Sequence, residues 1–169
     1  MMNYSITKED KIIIEYDNKY DDDIEELLYQ LQEHIMNIDI EGYNIISKEH
    51  KKDLFNQVMN EIKEYNGKIF LYKENDKILG FIVGQINNEE TNSFNFKAPK
   101  RGRITELVVD KNYRRKSIGD KLLSKMESYL KDNGCKSILI GVFAYNDLAR
   151  RFYEKHGYHL RMTDMIKVE

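Results

Sequence analysis

One segment of the sequence constrains the fold more than any other, because it places a strand, a helix and a second strand in direct succession. Arg103 to Val109 is an apolar, β-branched run, and Ser117 to Asn133 repeats apolar residues at helical spacing before Gly134. Ser137 to Phe143 is a second strand-like run. Two strands that a helix connects are usually parallel neighbours in one sheet. The segment therefore predicts a parallel strand pair.

The rest of the chain adds strands and helices before and after this unit, in the overall order β-α-α-β-β-β-α-β-α-β. The other predicted elements are a strand at Ile12–Tyr16, a helix over Ile24–Ile35, a helix between Ser47 and Gly67, strands at Lys68–Lys73 and Ile78–Ile86, a helix at Asp147–Lys155 and a strand region at Tyr158–Val168. The polar stretch from Asn87 to Gly102, which contains Pro99, predicts a long surface loop. We therefore predict a single α/β domain over residues 1–169, with a mixed sheet and helices on both faces.

The composition excludes several classes of protein. The chain is 41% hydrophobic and 33% charged, which is typical of a globular domain, and its net charge of -2 argues against a dedicated nucleic-acid binder. No apolar run is long enough to cross a membrane, and the N-terminal residues do not resemble a signal peptide. Cys135 is the only cysteine, so no intrachain disulfide can form. We expect a cytoplasmic protein, and the four histidines show no metal-binding spacing.

A basic turn lies between the strand that ends at Val109 and the following helix. Arg114, Arg115 and Lys116 stand immediately before the helix, and Gly119 lies in its first turn. A helix N-terminus presents unpaired N–H groups and the positive end of the helix dipole, so it suits a phosphate or pyrophosphate group. An exposed, capped helix would show the same local pattern, and the turn alone does not separate the two.

A second motif follows the next strand and makes the pattern specific. Its residues recur at fixed spacing, and they are Asn146, Ala149, Phe152, Tyr153, Gly157 and Tyr158. Together with the turn from Arg114 to Gly119, this motif resembles the GNAT superfamily of N-acetyltransferases. The resemblance implies a mostly antiparallel sheet with a splayed parallel strand pair. It also implies transfer of the acetyl group of acetyl-CoA to a primary amine, on a small molecule or a peptide, by direct attack in a ternary complex.

The same resemblance implies which residues contact coenzyme A. The backbone of Leu107, Val108 and Val109 would meet the pantetheine arm, at a bulge that separates the two parallel strands. The residues around the pyrophosphate would be Arg114, Arg115, Lys116, Ser117, Ile118, Gly119 and Asp120, and Asn146 is a further contact. Ser117 stands where the family usually has a glycine. If the position needs a positive φ, serine lowers affinity; if it lies in the first helical turn, serine is harmless. We expect the second.

Two side chains are candidates for the chemistry. Glu106, expected to share a strand face with Ile104 and Val108, could take the proton of an attacking amine, or it could be a glutamate paired with a nearby cation. By resemblance, Tyr153 would donate a hydrogen bond to the departing thiolate, and the alternative is a tyrosine of the core. Asn146 is also a good N-cap residue.

Other interpretations remain open at this level. The chain could be a coenzyme-binding sensor without turnover, or a nucleic-acid-binding module that uses its basic turn together with Arg150 and Arg151, which the overall charge disfavours. The acceptor is expected to meet Leu31 to Tyr43 and Asn87 to Gly102, and self-association as a homodimer is left open.

Overall fold

Seven strands and four α-helices are present in the part of the chain that the computed structural model describes, namely residues 11–87, 91–93 and 96–167. The strands are β1 Lys11–Glu15, β2 Lys68–Glu74, β3 Lys77–Asn87, β4 Thr91–Ser93, β5 Phe96–Ala98, β6 Arg101–Val109 and β7 Ser137–Ile140. The helices are α1 Asp21–Ile38, α2 Lys51–Glu64, α3 Ile118–Asp132 and α4 Asp147–Lys155.

Five of these strands form one mixed sheet in the order β1-β2-β3-β6-β7. The pairs β1–β2, β2–β3 and β3–β6 are antiparallel, whereas β6 and β7 are parallel. The parallel pair and the mostly antiparallel sheet are therefore confirmed. The short strands β4 and β5 pair with each other as a separate antiparallel hairpin.

Helices cover both faces of the sheet, as predicted. Alternate residues of β2 point to opposite faces. Leu71 packs in a core cluster with residues of α1 and α2, and Phe70 and Tyr72 pack in a second cluster with residues of α3. Complete burial of an aliphatic side chain such as Leu71, which is 0% exposed, contributes roughly 1.5–3 kcal/mol. The two apolar layers thus hold the sheet between α1 and α2 on one side and α3 on the other.

Helix α3 lies unusually close to the sheet, because glycines of β3 and β6 face it. A Cβ on Gly84 would lie 2.3 Å from the sulfur of Met126, and one on Gly102 would lie 2.7 Å from a methyl group of Leu130. The helix ends where the sequence predicts, since Gly134 has a left-handed φ of +84°. The close packing fixes the position of α3 relative to β3 and β6.

Two predictions of local structure are wrong. The predicted loop from Asn87 to Gly102 contains β4 and β5, and β6 already begins at Arg101. Alternation of apolar residues reveals strands with one buried face, and this polar hairpin carries no such signal. The predicted strand region from Tyr158 forms no strand through residue 167. Its apolar side chains from Leu160 to Ile166 are exposed, Met165 by 98%. Strand propensity alone does not form a strand, because a strand needs a neighbour with which to pair.

Candidate active site at the end of the parallel strand pair

A β-bulge at Thr105 marks the point where the parallel strands separate. Glu106 pairs with Val83 of β3, but the next paired residue is Ile104, opposite Gly84, so Thr105 is the extra residue. Parallel pairing between β6 and β7 ends at Ile104 and Ile140. Residues 105–109 of β6 therefore continue beyond β7 and leave an opening between the two strands. The implied splay is present, and its bulge lies at Thr105, two residues before Leu107, rather than within residues 107–109.

The bulge also reverses which face the following residues occupy. Ile104 packs in the cluster that includes α3, whereas Val108 packs in the cluster that includes α1 and α2. Glu106 lies opposite Val83, which belongs to the same cluster as Val108. The expectation that Glu106 shares a face with both Ile104 and Val108 is therefore wrong for Ile104, because one inserted residue shifts the period-two alternation.

The backbone of β6 beyond the bulge presents polar groups to the opening. The Asp110 N–H donates to the carbonyl of Leu79 at 2.9 Å, which sets the alternation of the antiparallel ladder. By that alternation, Val108 directs its backbone groups to β3, and Leu107 and Val109 direct theirs away from β3 and past the end of β7. The Arg114 Nε donates to the Val109 carbonyl at 3.2 Å. Leu107 and the N–H of Val109 thus form the free edge, and Val108, 3% exposed, contributes to the core.

The turn at the N-terminus of α3 is shaped for an anion. Ser117 is the N-cap of α3 with φ +57°, its side chain makes no capping hydrogen bond, and Arg115 has φ +62°. A left-handed residue followed by a helical one directs successive N–H groups, here those of residues 117–119, into one concavity. The expectation that Ser117 lies in the first helical turn is therefore wrong: the position adopts the positive φ that favours glycine.

Positive charge surrounds this concavity. The side chains of Arg114, Arg115 and Lys116 are exposed, and the Lys116 ammonium lies 4.7 Å from the centre of the Tyr113 ring. Ile118 is buried in the core, so only its backbone can face a ligand. The helix dipole and these cations act in the same direction on a bound anion.

Polar contacts connect α4 and the residues after it to α3. The Asn146 Oδ1 accepts the Ala149 N–H at 3.1 Å, which confirms Asn146 as the N-cap of α4. The Asp120 carboxylate lies 3.3 Å from the Lys155 Nζ and 3.2 Å from the His156 Nε2. The side chain of Asp120 is therefore engaged with α4. Only its backbone N–H, in the first turn of α3, can face an anion at the helix N-terminus. Further along, the Tyr158 hydroxyl donates to Glu127 of α3 at 2.8 Å.

Burial raises the pKa of both candidate catalytic side chains, and the Glu106 charge also acts on Tyr153. Burial, with a smaller effect of the Glu61 charge, raises the pKa of Glu106 to about 7. Burial and then the Glu106 charge raise the pKa of Tyr153 to about 12. Within the described part of the chain, neither a hydrogen bond nor an ion pair engages the Glu106 carboxylate. The interpretation of Glu106 as a cation-paired glutamate therefore finds no partner there.

Glu61 is a charged neighbour that the sequence did not reveal. It lies on α2, where polar residues at exposed helical positions are indistinguishable from ordinary solvated surface. Residues of α2 share a core cluster with Val83 and Val108, and this tertiary packing brings the Glu61 charge toward Glu106.

Other chemical groups are absent or inert in the described ranges. Cys135 is 7% exposed and packs in the core, where burial raises the pKa of its thiol. Among the described residues, no group of three or more His, Cys, Asp or Glu side chains could hold a metal ion. The helices described in the structure include none that is both long and apolar enough to span a membrane.

Similarity to known proteins agrees with this geometry. Solved structures with the same fold include the tetramutant of BH1408 from Bacillus halodurans, which has a TM-score of 0.83 and 21% identity, covering 94% of this chain and 99% of that one. Another is the aminoglycoside N-acetyltransferase AAC(6')-Iy in complex with CoA, with a TM-score of 0.71, 12% identity and 97% of both chains covered. Glucosamine-6-phosphate N-acetyltransferase from Arabidopsis thaliana has a TM-score of 0.65 and 23% identity, covering 95% and 99%.

Sequence comparison is more specific. No curated protein matches the chain. Residues 28–158 match the model of the acetyltransferase (GNAT) family, and this range contains the bulged strand, the basic turn and α4. The chain therefore belongs to the GNAT family of acetyltransferases.

Proposed function

We propose that this protein moves the acetyl group of acetyl-CoA to a primary amine, on a small molecule or a peptide, by direct attack within a ternary complex. One observation carries the proposal: the free edge of β6 leads from Glu106 to a cationic helix N-terminus. Along one strand and the turn after it, the chain thus places a titratable carboxylate at Glu106, then a free backbone edge at residues 107–109, then an anion-binding turn at residues 114–119. The likeness to two N-acetyltransferases, one of them bound to CoA, supports the same conclusion.

The residues fit coenzyme A as a co-substrate. The pyrophosphate carries negative charge, which suits the N–H groups of residues 117–119 and the side chains of Arg114, Arg115 and Lys116. The pantetheine arm contains amide groups, which can pair with the backbone of Leu107 and Val109 as a strand would. Acetyl-CoA supplies an acetyl group that is activated as a thioester.

Glu106 is suited to accept the proton of the amine. A free amine is mostly ammonium at neutral pH, with a pKa of about 10.4 for a lysine-like group, and must lose a proton before or during attack. With a pKa of about 7, Glu106 is ionised in a large fraction of molecules at neutral pH, and its carboxylate is more basic than that of an ordinary glutamate. As the nitrogen–carbon bond forms and the carbon–sulfur bond breaks, the proton passes to Glu106 directly or through water.

Tyr153 is suited to stabilise the departing thiolate. Its raised pKa of about 12 keeps the phenol protonated, so the hydroxyl can donate a hydrogen bond. Complete proton transfer to a thiolate, whose conjugate acid has a pKa of about 8.5, is strongly uphill. A hydrogen bond that strengthens as sulfur gains charge lowers the barrier without such transfer.

The test is thiol release from acetyl-CoA in the presence of polyamines, aminoglycosides, amino acids and peptides, with binding followed by thermal stabilisation. A ligand that binds only the native state raises the melting temperature. Stabilisation together with acceptor-dependent thiol release is the expected result. Stabilisation without turnover for any amine would favour the coenzyme-binding sensor, and no stabilisation at saturating acetyl-CoA would overturn the proposal.

A further inference from the structure

Two polar side chains are buried within the described part of the chain, and both accept hydrogen bonds from the backbone of one turn, residues 110–113. They are Gln30 of α1, 7% exposed, and Asp110 at the end of β6, 6% exposed. Burial of an amide or a carboxylate is unfavourable unless its hydrogen bonds are made. The positions of their partners therefore indicate what the two side chains do.

Gln30 holds a backbone group that is distant in the sequence. Its Oε1 accepts the N–H of Lys111 at 3.1 Å across a separation of 81 residues. Its neighbours on α1, Leu27 and Leu28, are 2% and 3% exposed, so an apolar residue would suit position 30 equally well for helix packing. The amide of Gln30 therefore serves the turn rather than the helix.

Asp110 organises the same turn from within. Its carboxylate accepts the Asn112 N–H at 2.9 Å and lies 3.5 Å from the Lys77 ammonium. Its carbonyl accepts the Tyr113 N–H at 2.8 Å. Residues 110–113 are thus held in place by Lys77 of β3, by Gln30 of α1 and by hydrogen bonds among themselves.

This turn leads directly into the anion cradle. The next residue, Arg114, bonds back to Val109, and Lys116 lies over the ring of Tyr113. Any movement of residues 111–113 therefore shifts the N–H groups and cations that follow. Pre-organised contacts bind better than contacts that must be ordered on binding.

We propose that Gln30 is a positioning residue for the coenzyme A pyrophosphate, acting through the N–H of Lys111 to fix the entry of the basic turn. The proposal rests on the function proposed above. It assigns to α1 a role on the coenzyme side of the site, in addition to packing on the sheet.

The experiment compares Gln30→Met, which has similar length and no acceptor oxygen, with wild type for two acyl donors. Acetyl-CoA carries the pyrophosphate, and S-acetylpantetheine lacks it. We expect the KM for acetyl-CoA to rise about tenfold, equivalent to about 1.4 kcal/mol, with kcat nearly unchanged. The kcat/KM for S-acetylpantetheine should stay within about twofold of wild type. Equal loss for both donors, or no loss for acetyl-CoA, would overturn the proposal.

A matched control variant and a second measurement make the test specific to the contact between Gln30 and Lys111. Glu26→Met removes a different side-chain contact of α1, with Lys51 of α2, and should leave both donors unaffected. The amide of Lys111 should exchange with solvent faster in Gln30→Met and not in the control, and unchanged exchange would contradict the proposed contact.

Failure of the proposed function would appear in wild type, which would use neither donor. Failure of the present inference leaves wild type active and Gln30→Met equal to it.

Discussion

Phe152 of α4 packs directly over Gly119 of α3. A Cβ on Gly119 would lie 3.4 Å from the edge of the Phe152 ring and 3.9 Å from a methyl group of Val109. The glycine thus permits α4 to lie close to the N-terminus of α3, which brings Tyr153 toward the opening between the strands.

Gly119→Val should separate α4 from the proposed coenzyme site. A Cβ at this position already lies in van der Waals contact with Phe152, so the γ-methyl groups of valine should displace the ring. We therefore expect a loss of about 1–3 kcal/mol in the free energy of unfolding and loss of the thermal stabilisation by acetyl-CoA. Gly119→Ala is the control, because its single methyl group lies at van der Waals distance from the ring. Normal coenzyme binding by Gly119→Val would show that this turn is not the phosphate cradle.

Ser117→Gly should stabilise the protein. Ser117 has φ +57°, a conformation that glycine adopts without the steric penalty of a Cβ. We expect the free energy of unfolding to rise by about 0.5–1 kcal/mol in denaturant titration. Because the strained conformation exists before binding, the Kd for acetyl-CoA should stay within about threefold. A tenfold tighter Kd would show that the strain acts specifically on the bound state, and no stabilisation would contradict the left-handed assignment.

Glu106→Gln should reduce turnover by roughly two to four decades at neutral pH. The loss should shrink as pH rises, because the free amine becomes abundant without a base. In wild type, kcat/KM should fall as pH drops below about 7, where Glu106 becomes protonated. A loss that does not vary with pH would make Glu106 a structural residue of the site instead of the base.

Stability measurements on the same variant provide a control with a defined sign. In the unfolded chain the carboxyl titrates near 4.5, and in the folded protein its pKa is about 7. Between these values the folded state binds more protons, so the free energy of unfolding of wild type falls as pH rises through this window. Glutamine has no carboxyl group to titrate, so the free energy of unfolding of Glu106→Gln does not show this decline. The variant should be more stable than wild type at pH 8 by about 1–3 kcal/mol, with little difference near pH 4.5.

Glu61→Gln should move the acid limb of the pH–rate profile to lower pH. The Glu61 charge is the smaller of the two causes that raise the Glu106 pKa, so its removal lowers that pKa by part of the whole shift. Glu64→Gln, which neutralises a nearby exposed charge on the same helix, is the matched control and should leave the limb in place. Coincident profiles for the two variants would exclude coupling between Glu61 and Glu106.

Tyr153→Phe should lower kcat by about 10- to 100-fold while the Kd for acetyl-CoA stays near that of wild type. The proposed hydrogen bond to sulfur would act mainly in the transition state, when the thiolate forms. Thermal unfolding of the variant measures any contribution of the hydroxyl to stability. Activity that falls only in proportion to unfolded protein would identify Tyr153 as a core residue.

Much of the local structure could be predicted because it depends on neighbouring residues. The apolar stripe of α3 follows the helical period and is buried, Leu122 and Met126 both being 0% exposed. Asn146 caps α4 and Gly134 ends α3, since each needs only its own backbone and the adjacent turn. The basic turn before α3 could be predicted for the same reason, because its charged residues are consecutive in the sequence.

The arrangement of the site depends on contacts between distant segments, and the sequence alone does not specify them. The bulge at Thr105 exists because β3 and β6 pair in a shifted register, and it decides which face Glu106 occupies. The contact between Gln30 and Lys111 and the effect of Glu61 on Glu106 both require helices packed over the far ends of strands. The sequence by itself determined the helices, their ends and the motifs of the family, because short-range periodicity and capping act within a few residues. Only the tertiary structure decided the face of Glu106, the left-handed conformation at Ser117 and the lack of a strand in residues 158–167, because register and packing are set by partners far along the chain.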